Sequence, residues 1–125
     1  MSVERVVSPK VVERAKHPRN YGSLDDWDGH ARITGPCGDT MEFWVKVSAQ
    51  GILQANFTTD GCGASRAAGS MATELATGQL VKKAFQIQQG DVLRALESLP
   101  GDSVHCALLA VNTLQAAIRD CLKHK

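Results

Sequence analysis

The sequence predicts an α+β fold in which a three-stranded antiparallel sheet carries helices packed on one face. Two runs of alternating apolar and polar residues, at 41–48 and 52–59, have the period of half-buried strands. The second half of the chain instead repeats apolar residues at intervals of three and four, which indicates helices. A chain that places its strands before its helices favours a sheet with the helices gathered on one side.

Length and composition indicate one domain. The chain has 125 residues, 43% of them hydrophobic, and we expect a single domain over 1–125 with a mobile N-terminal segment over 1–30. The 14 basic and 13 acidic residues nearly cancel, which gives no electrostatic reason to bind nucleic acid. No signal-type segment and no apolar stretch near the roughly 20 residues of a membrane span are visible, so we expect a cytoplasmic protein without membrane contact.

The N-terminal region predicts one short helix followed by a loop. Ser8 is suited to cap a helix whose first residue is Pro9, and the amphipathic pattern continues to Ala15. Prolines, glycines and acidic residues then predict a loop from Lys16 to about His30.

The alternating runs predict a hairpin. The first strand covers 41–48, with Trp44 on its polar side, and the second covers 52–59. Gln50 and Gly51 form the predicted turn between them, and residues 31–34 add a third strand. The predicted buried face of the first strand consists of Met41, Phe43, Val45 and Val47.

Three helical segments follow. An Ala-rich helix begins after Gly63 and ends at Gly78, and another segment begins at Gly90 or Asp91 and continues to Leu99. The last helix begins after an N-cap at Asp102 or Ser103. Its predicted buried stripe consists of Val104, Ala107, Leu108, Val111, Leu114, Gln115, Ile118 and Leu122. This stripe leaves His105 and Cys106 off the core face, and Cys121 at its edge as a packing residue.

Three short clusters contain side chains that bind metals. They are GPCGD at 35–39, GCG at 61–63 and HC at 105–106. Thiolate, imidazole and carboxylate groups bind zinc, iron or iron–sulfur clusters. In a reducing compartment, four cysteines are expected to bind metal or to react rather than to form disulfides. We therefore expect these loops to converge at one end of the sheet.

The local setting of each cysteine supports this interpretation. Cys106 falls in the first turn of a helix, where the helix dipole favours an anion, so we expect a reactive thiolate. Cys62 also precedes a helix, and the glycines beside it leave space for a bulky group. A bend at Gly38 turns Cys37 and Asp39 towards one ion. Three thiolates with one harder ligand hold a metal group less tightly than four thiolates do.

The same residues resemble the IscU-type iron–sulfur cluster assembly scaffolds, also called NifU N-terminal-like proteins. The resemblance rests on GPCGD at 35–39, DGCGAS at 60–65 and HCALLA at 105–110, in this order. HPRNYG at 17–22 and ELATG at 74–78 extend it over nearly the whole chain. The three clusters together, at the separations of this family, are far more specific than any one of them.

The resemblance implies a scaffold rather than an enzyme. A cysteine desulfurase delivers sulfur, iron binds, and a [2Fe–2S] cluster forms and passes to apo-proteins. On this chain the resemblance implies that Cys37, Cys62 and Cys106 are cluster ligands and that Cys106 accepts the persulfide. Asp39 assists iron binding and cluster release, and His105 is the alternative fourth ligand. Zinc occupies the same residues in place of iron.

One segment departs from the family pattern. Many bacterial members carry LPPVK before the His-Cys pair, where an Hsp70-type chaperone binds, but this chain has LPGDS at 99–103. The resemblance therefore does not extend to chaperone-driven release. The residues alone leave two other functions open, which are a sulfur carrier that uses Cys106 and a small module with a structural zinc. His17, His30 and His124 are expected on the surface or in loops.

Overall fold

The residues that the structure describes form a sheet of three antiparallel strands. The computed structural model describes residues 8–36, 38–97 and 103–123. Within them β1 is Gly29–Thr34, β2 is Thr40–Ser48 and β3 is Gly51–Thr59. The strand order is β1-β2-β3, and both neighbouring pairs are antiparallel. The predicted three-stranded antiparallel sheet is confirmed.

The hairpin between β2 and β3 turns one residue earlier than predicted. Ser48 pairs with Gly51, so the turn residues are Ala49 and Gln50, and Gly51 is already part of β3. Gly51 has a φ of +125°, and a Cβ there would lie 2.2 Å from the backbone oxygen of Gln79. Only glycine accommodates both the positive φ and this close contact.

The described residues also form five helices: α1 (Pro9–Lys16), α2 (Gly63–Ala76), α3 (Val81–Ala84), α4 (Gln89–Leu96) and α5 (Val104–Lys123). The Ser8 side chain caps α1 by accepting a hydrogen bond from the Val11 amide, as predicted. The sequence did not predict α3, because one turn is too short to show a helical period. Helix α4 ends before Leu99 because Glu97 adopts a left-handed conformation, with a φ of 74°. Residues 98–102 lie outside the described part of the chain.

The core lies between one face of the sheet and the two long helices, α2 and α5. Both helices contact the strands and each other, so the predicted placement of helices on one face is confirmed. Within the described ranges, no helix has the length and apolar character needed to cross a membrane. The largest fully buried apolar side chains are Phe43, Phe57, Met41, Leu96, Leu114, Ile118, Val45 and Val92.

The buried face of α5 differs from the predicted stripe. Leu108 and Leu122 are 44% and 52% exposed, whereas the small residues Ala110 and Ala117 are fully buried. The buried face is therefore rotated by about 80° from the predicted one. Large apolar residues define most of the predicted stripe, whereas small residues such as Ala110 and Ala117 make up much of the observed buried face.

Aromatic rings cover part of the outer face of the sheet. Trp44, predicted on the polar side, does lie on this face but is only 8% exposed. The His30 ring is 5.4 Å from the Trp44 ring and 5.4 Å from the Trp27 ring, which shields the tryptophan from water. His30 itself lies in β1 rather than in a loop, and its Nε2 is 2.5 Å from Oε2 of Glu42.

Candidate metal centre

The connection between β1 and β2 forms a tight turn that presents Asp39. The Gly35 amide donates to the Asp39 carbonyl at 2.8 Å, and the Gly38 amide donates to the Gly35 carbonyl at 3.0 Å. Gly38 has a φ of +94°, so the predicted bend at this glycine is confirmed. Cys37 lies outside the described residues, and its role as a ligand stays a prediction.

Hydrogen bonds beyond the β2–β3 ladder hold the segment that leads to Cys62 beside this turn. The Thr40 amide donates to the Asp60 carboxylate at 2.7 Å, and the Asp60 amide donates to the Thr40 carbonyl at 3.2 Å. Gly61 follows directly, and a Cβ on it would lie 2.7 Å from Oδ2 of Asp39. The space beside Gly61, predicted to admit a metal group, is therefore occupied by the Asp39 side chain.

Cys62, predicted to lie directly before the Ala-rich helix, occupies the N-cap position of α2. Its backbone is extended, its side chain makes no capping hydrogen bond, and it is exposed to solvent. The Cys62 carbonyl accepts the first helical hydrogen bond, from the Arg66 amide, at 3.1 Å. The Cys62 thiol is thus accessible at a helix N-terminus, where unpaired amides favour negative charge.

A buried serine joins the Asp39 turn to α5. Ser65 lies in the first turn of α2 and has no exposed surface. Its Oγ donates to Oδ2 of Asp39 at 3.2 Å and lies 3.4 Å from Sγ of Cys106. Three separate segments of the chain therefore meet at one hydroxyl group.

Cys106 and His105 have opposite environments although they are adjacent. Cys106 is 2% exposed, so the prediction that it lies off the core face is wrong. The reason is the rotation of the buried face of α5 described above, which also buries Cys121 as predicted. His105 is exposed as predicted, and its Nε2 lies 3.9 Å from the Cys106 sulfur. Next to His105, a cavity of about 180 Å³ opens between the end of β1 and α5.

Several residues of the predicted site lie close together in the described part of the chain. Asp39, Cys106 and His105 lie in one chain of contacts that passes through Ser65, while Cys62 faces solvent nearby. Over residues 8–36, 38–97 and 103–123, no group of three or more His, Cys, Asp or Glu side chains has an arrangement that holds a metal ion. Ser65 is part of the DGCGAS motif at 60–65, but the sequence predicts no role for it. A short polar side chain within a helix carries no periodic signal, so the sequence alone does not identify it.

The charges around Asp39 differ from those around Glu74, a carboxylate on α2. Arg14 donates two hydrogen bonds to Glu74, at 2.7 and 2.8 Å, and Ser70 donates a third at 3.0 Å. Burial raises the pKa of Glu74, but these hydrogen bonds outweigh burial and leave the pKa below its ordinary value. The hydrogen bond to Glu74 raises the pKa of Arg14 in turn. Asp39 makes no ion pair with any residue that the structure describes.

Fold and site together define a small α+β domain that gathers thiol, imidazole and carboxylate groups from three segments. The sequence matches the NifU-like N-terminal domain family over residues 6–125, and the chain belongs to this family. It is 40% identical over 123 residues to the iron-sulfur cluster assembly scaffold protein IscU of Azotobacter vinelandii, which covers 94% of each chain. It is 39% identical over 118 residues to IscU of Escherichia coli K12, which covers 90% of this chain and 91% of that one.

A solved structure has the same fold. The N-terminal part of a nitrogen-fixing NifU-like protein from Brucella abortus superposes with a TM-score of 0.79. The match covers 99% of this chain and all of that chain, at 14% sequence identity. At this identity the likeness concerns the fold alone.

Proposed function

We propose that this chain is a scaffold for iron–sulfur cluster assembly in the cytoplasm. Iron and sulfur combine on it into a [2Fe–2S] cluster, which then passes to apo-proteins. The named function of the IscU relatives supports this proposal, since the chain aligns with them over nearly its full length. The cluster is cargo, and the chain holds it only until transfer.

One observation about the site carries the proposal. The Asp39 carboxylate and the Cys106 thiol both contact the hydroxyl group of Ser65. Among the described residues the carboxylate has no cationic partner. A carboxylate beside a thiol is suited to bind a cation from outside the chain. In this arrangement a harder oxygen ligand stands next to soft sulfur ligands, which is the asymmetry that a releasable cluster requires.

The proposed ligands are Cys37, Cys62 and Cys106, with either Asp39 or His105 as the fourth. Cys62 is exposed, so it can approach an incoming iron without a change in the fold. His105 is also exposed, and its ring nitrogen already lies 3.9 Å from the Cys106 sulfur. Zinc suits the same set of ligands and can take the place of iron.

Sulfur arrives, in this proposal, from the persulfide of a cysteine desulfurase. The Cys106 thiolate attacks the terminal sulfur, the desulfurase S–S bond breaks, and the desulfurase thiolate leaves. Each transferred sulfur then takes two electrons from an external dithiol to become sulfide. Because Cys106 is 2% exposed, its thiol becomes reachable only after a local movement that uncovers it.

Anaerobic reconstitution tests the proposal. The chain is incubated with ferrous iron, L-cysteine, a cysteine desulfurase and dithiothreitol, and its visible absorption and acid-labile sulfide are measured. We expect about two irons and two sulfides per cluster, from the [2Fe–2S] formula, and transfer of the cluster to apo-ferredoxin. A colourless product without sulfide would contradict the scaffold function.

Further measurements on the same chain separate the alternative functions. A sulfur carrier accepts persulfide without any iron, and Cys106→Ser abolishes this acceptance. A structural zinc module gains no cluster, and a chelator unfolds it. Mass spectrometry of the persulfide then locates the acceptor, and sulfur found on Cys62 instead of Cys106 would overturn the proposed acceptor residue.

A further inference from the structure

Ser65 has one hydroxyl hydrogen and two partners. Its Oγ donates to Oδ2 of Asp39 at 3.2 Å and lies 3.4 Å from the Cys106 sulfur. A hydroxyl group can donate only one hydrogen bond, although it can accept two. A carboxylate accepts only. While Ser65 donates to Asp39, the Cys106 contact is therefore a hydrogen bond only if the thiol donates to Oγ.

A metal bound at Cys106 reverses this arrangement. The metal–sulfur bond forms with loss of the thiol hydrogen, as a proton, to the solvent. The sulfur is then an acceptor only, and Oγ can keep its contact with the sulfur only by donating to it. That rotation takes the hydroxyl hydrogen away from Asp39. The carboxylate then loses its donor at the moment when a metal lies next to it.

We propose that Ser65 is a positioning residue that donates to Asp39 in the metal-free chain and to the Cys106 sulfur in the metal-loaded chain. The inference deepens the proposed function and rests on it. By this rotation Ser65 couples metal binding at the sulfur to the availability of the carboxylate as a ligand. Loss of a hydrogen bond to a metal ligand typically changes metal affinity by about 10–100-fold.

The packing around Ser65 supports this assignment. Ser65 is fully buried, so water does not compete for its hydroxyl group. A Cβ at Gly61 would lie 2.4 Å from Oγ of Ser65 and 2.7 Å from Oδ2 of Asp39. A side chain at this position would collide with both polar groups, so glycine allows them to stay in contact.

Cobalt substitution tests the inference. Co²⁺ replaces zinc in thiolate sites and gives a sulfur-to-metal charge-transfer band in the near ultraviolet. A hydrogen bond to the sulfur lowers the energy of its lone pairs, so its loss in Ser65→Ala should move this band to longer wavelength. Ser65→Thr keeps the hydroxyl group and should restore the wild-type band. We also expect Ser65→Ala to weaken Co²⁺ binding by about tenfold or more.

Ser70→Ala is the matched control. Ser70 is another fully buried serine of α2 whose hydroxyl donates to a carboxylate, that of Glu74. Its removal should lower the melting temperature and leave the cobalt band unchanged. A band in Ser65→Ala at the wild-type wavelength would overturn the inference and leave the proposed function intact. A wild-type chain without any sulfur-to-cobalt band would overturn both.

A second measurement needs no variant at Ser65. In the wild-type Co²⁺ protein, exchange into D₂O replaces the hydroxyl hydrogen that is bonded to sulfur. The Co–S stretching frequencies in the resonance Raman spectrum should therefore shift, and Cys106→Ser identifies which of them belong to Cys106. Unchanged Cys106 frequencies in D₂O would contradict a hydrogen bond from Ser65 to the metal-bound sulfur.

Discussion

Helix α2 carries two buried serines that make the same bond in different surroundings. Ser65 donates to the carboxylate of Asp39 at 3.2 Å, and Ser70 donates to that of Glu74 at 3.0 Å. Both serines are fully buried and lie on one helix, five positions apart. The Glu74 carboxylate also receives two hydrogen bonds from Arg14. What differs is therefore the cation and not the serine.

This difference distinguishes two regions. We call Arg14 and Glu74 the structural pair, and Asp39, Ser65 and Cys106 the open site. Arg14 neutralises Glu74 from within the chain and joins α1 to α2, so this carboxylate has no unmet requirement. Asp39 has a thiol close by and, among the described residues, no cation. A partly buried carboxylate without a counter-charge is unfavourable until a cation arrives. Arg14 therefore fixes α2 near its C-terminal end, whereas the proposed site lies at its first turn.

The largest expected effect is on the open site. Cys106→Ala should lower the yield of reconstituted cluster by about tenfold or more, because it removes a proposed ligand. Glu74→Gln should leave the yield per folded molecule near that of wild type, since Glu74 lies outside the site. The yields are compared by visible absorption and sulfide analysis. Equal losses in both variants would mean that the open site and the structural pair are not distinct in function.

The next effect concerns cluster lifetime. Asp39→Ala removes the hard oxygen position, so we expect the cluster to be released to apo-ferredoxin more slowly, by a factor on the order of ten. The decay of visible absorption in the variant and in wild type, with and without apo-ferredoxin, measures this. Faster loss from Asp39→Ala than from wild type would count against a role for Asp39 in release.

The structural pair should appear in stability. Glu74→Gln replaces a charged acceptor that receives three hydrogen bonds, and we expect it to lower the free energy of unfolding by about 2 kcal/mol. Urea unfolding followed by circular dichroism measures the difference. Asp39→Asn, the same chemical change in the open site, should cost less because no arginine among the described residues loses a charged hydrogen-bond acceptor. A larger loss in Asp39→Asn would reverse the comparison.

Much of the fold could be predicted from the regular spacing of apolar residues along the chain. The alternation over β2 and β3, and the alanine spacing after Gly63, give the strands and α2 to within a residue or two. The position of Cys62 at the start of α2 could also be predicted, because a change of period marks the boundary. These features depend on neighbours along the chain, which the sequence displays directly.

The remaining features depend on neighbours that are distant along the chain. Cys106 is buried because small residues make up much of the inner face of α5, and a helical pattern that weights large residues places it on the outside. Ser65 contacts Asp39 and Cys106, which are 26 and 41 positions away. Short polar side chains carry no periodic signal. A hydroxyl group that joins three segments is therefore visible only once the segments are assembled.

Acid should weaken the structural pair before it unfolds the chain. The pKa of Glu74 is lower in the folded chain than its ordinary value of 4.5, so the unfolded chain binds the proton more readily. Its contribution is complete above pH 4.5 and is lost as the pH falls through the folded pKa. Urea unfolding at several pH values from 6 to 3 should show a shallower decline in Glu74→Gln than in wild type. Parallel declines would contradict the lowered pKa.

The smallest effect is expected at an exposed ion pair. Comparing it with the Arg14–Glu74 pair shows how much of the stability that Glu74 contributes comes from burial. Lys10 lies 3.2 Å from Glu97, but the two side chains are 47% and 56% exposed, against 16% and 26% for Arg14 and Glu74. Water and salt screen such a pair, so Lys10→Ala should cost less than about 0.5 kcal/mol. Urea unfolding at low and high salt measures it. A cost equal to that of Glu74→Gln would mean that surface charge holds α1 to the domain as strongly as the partly buried Arg14–Glu74 bonds do.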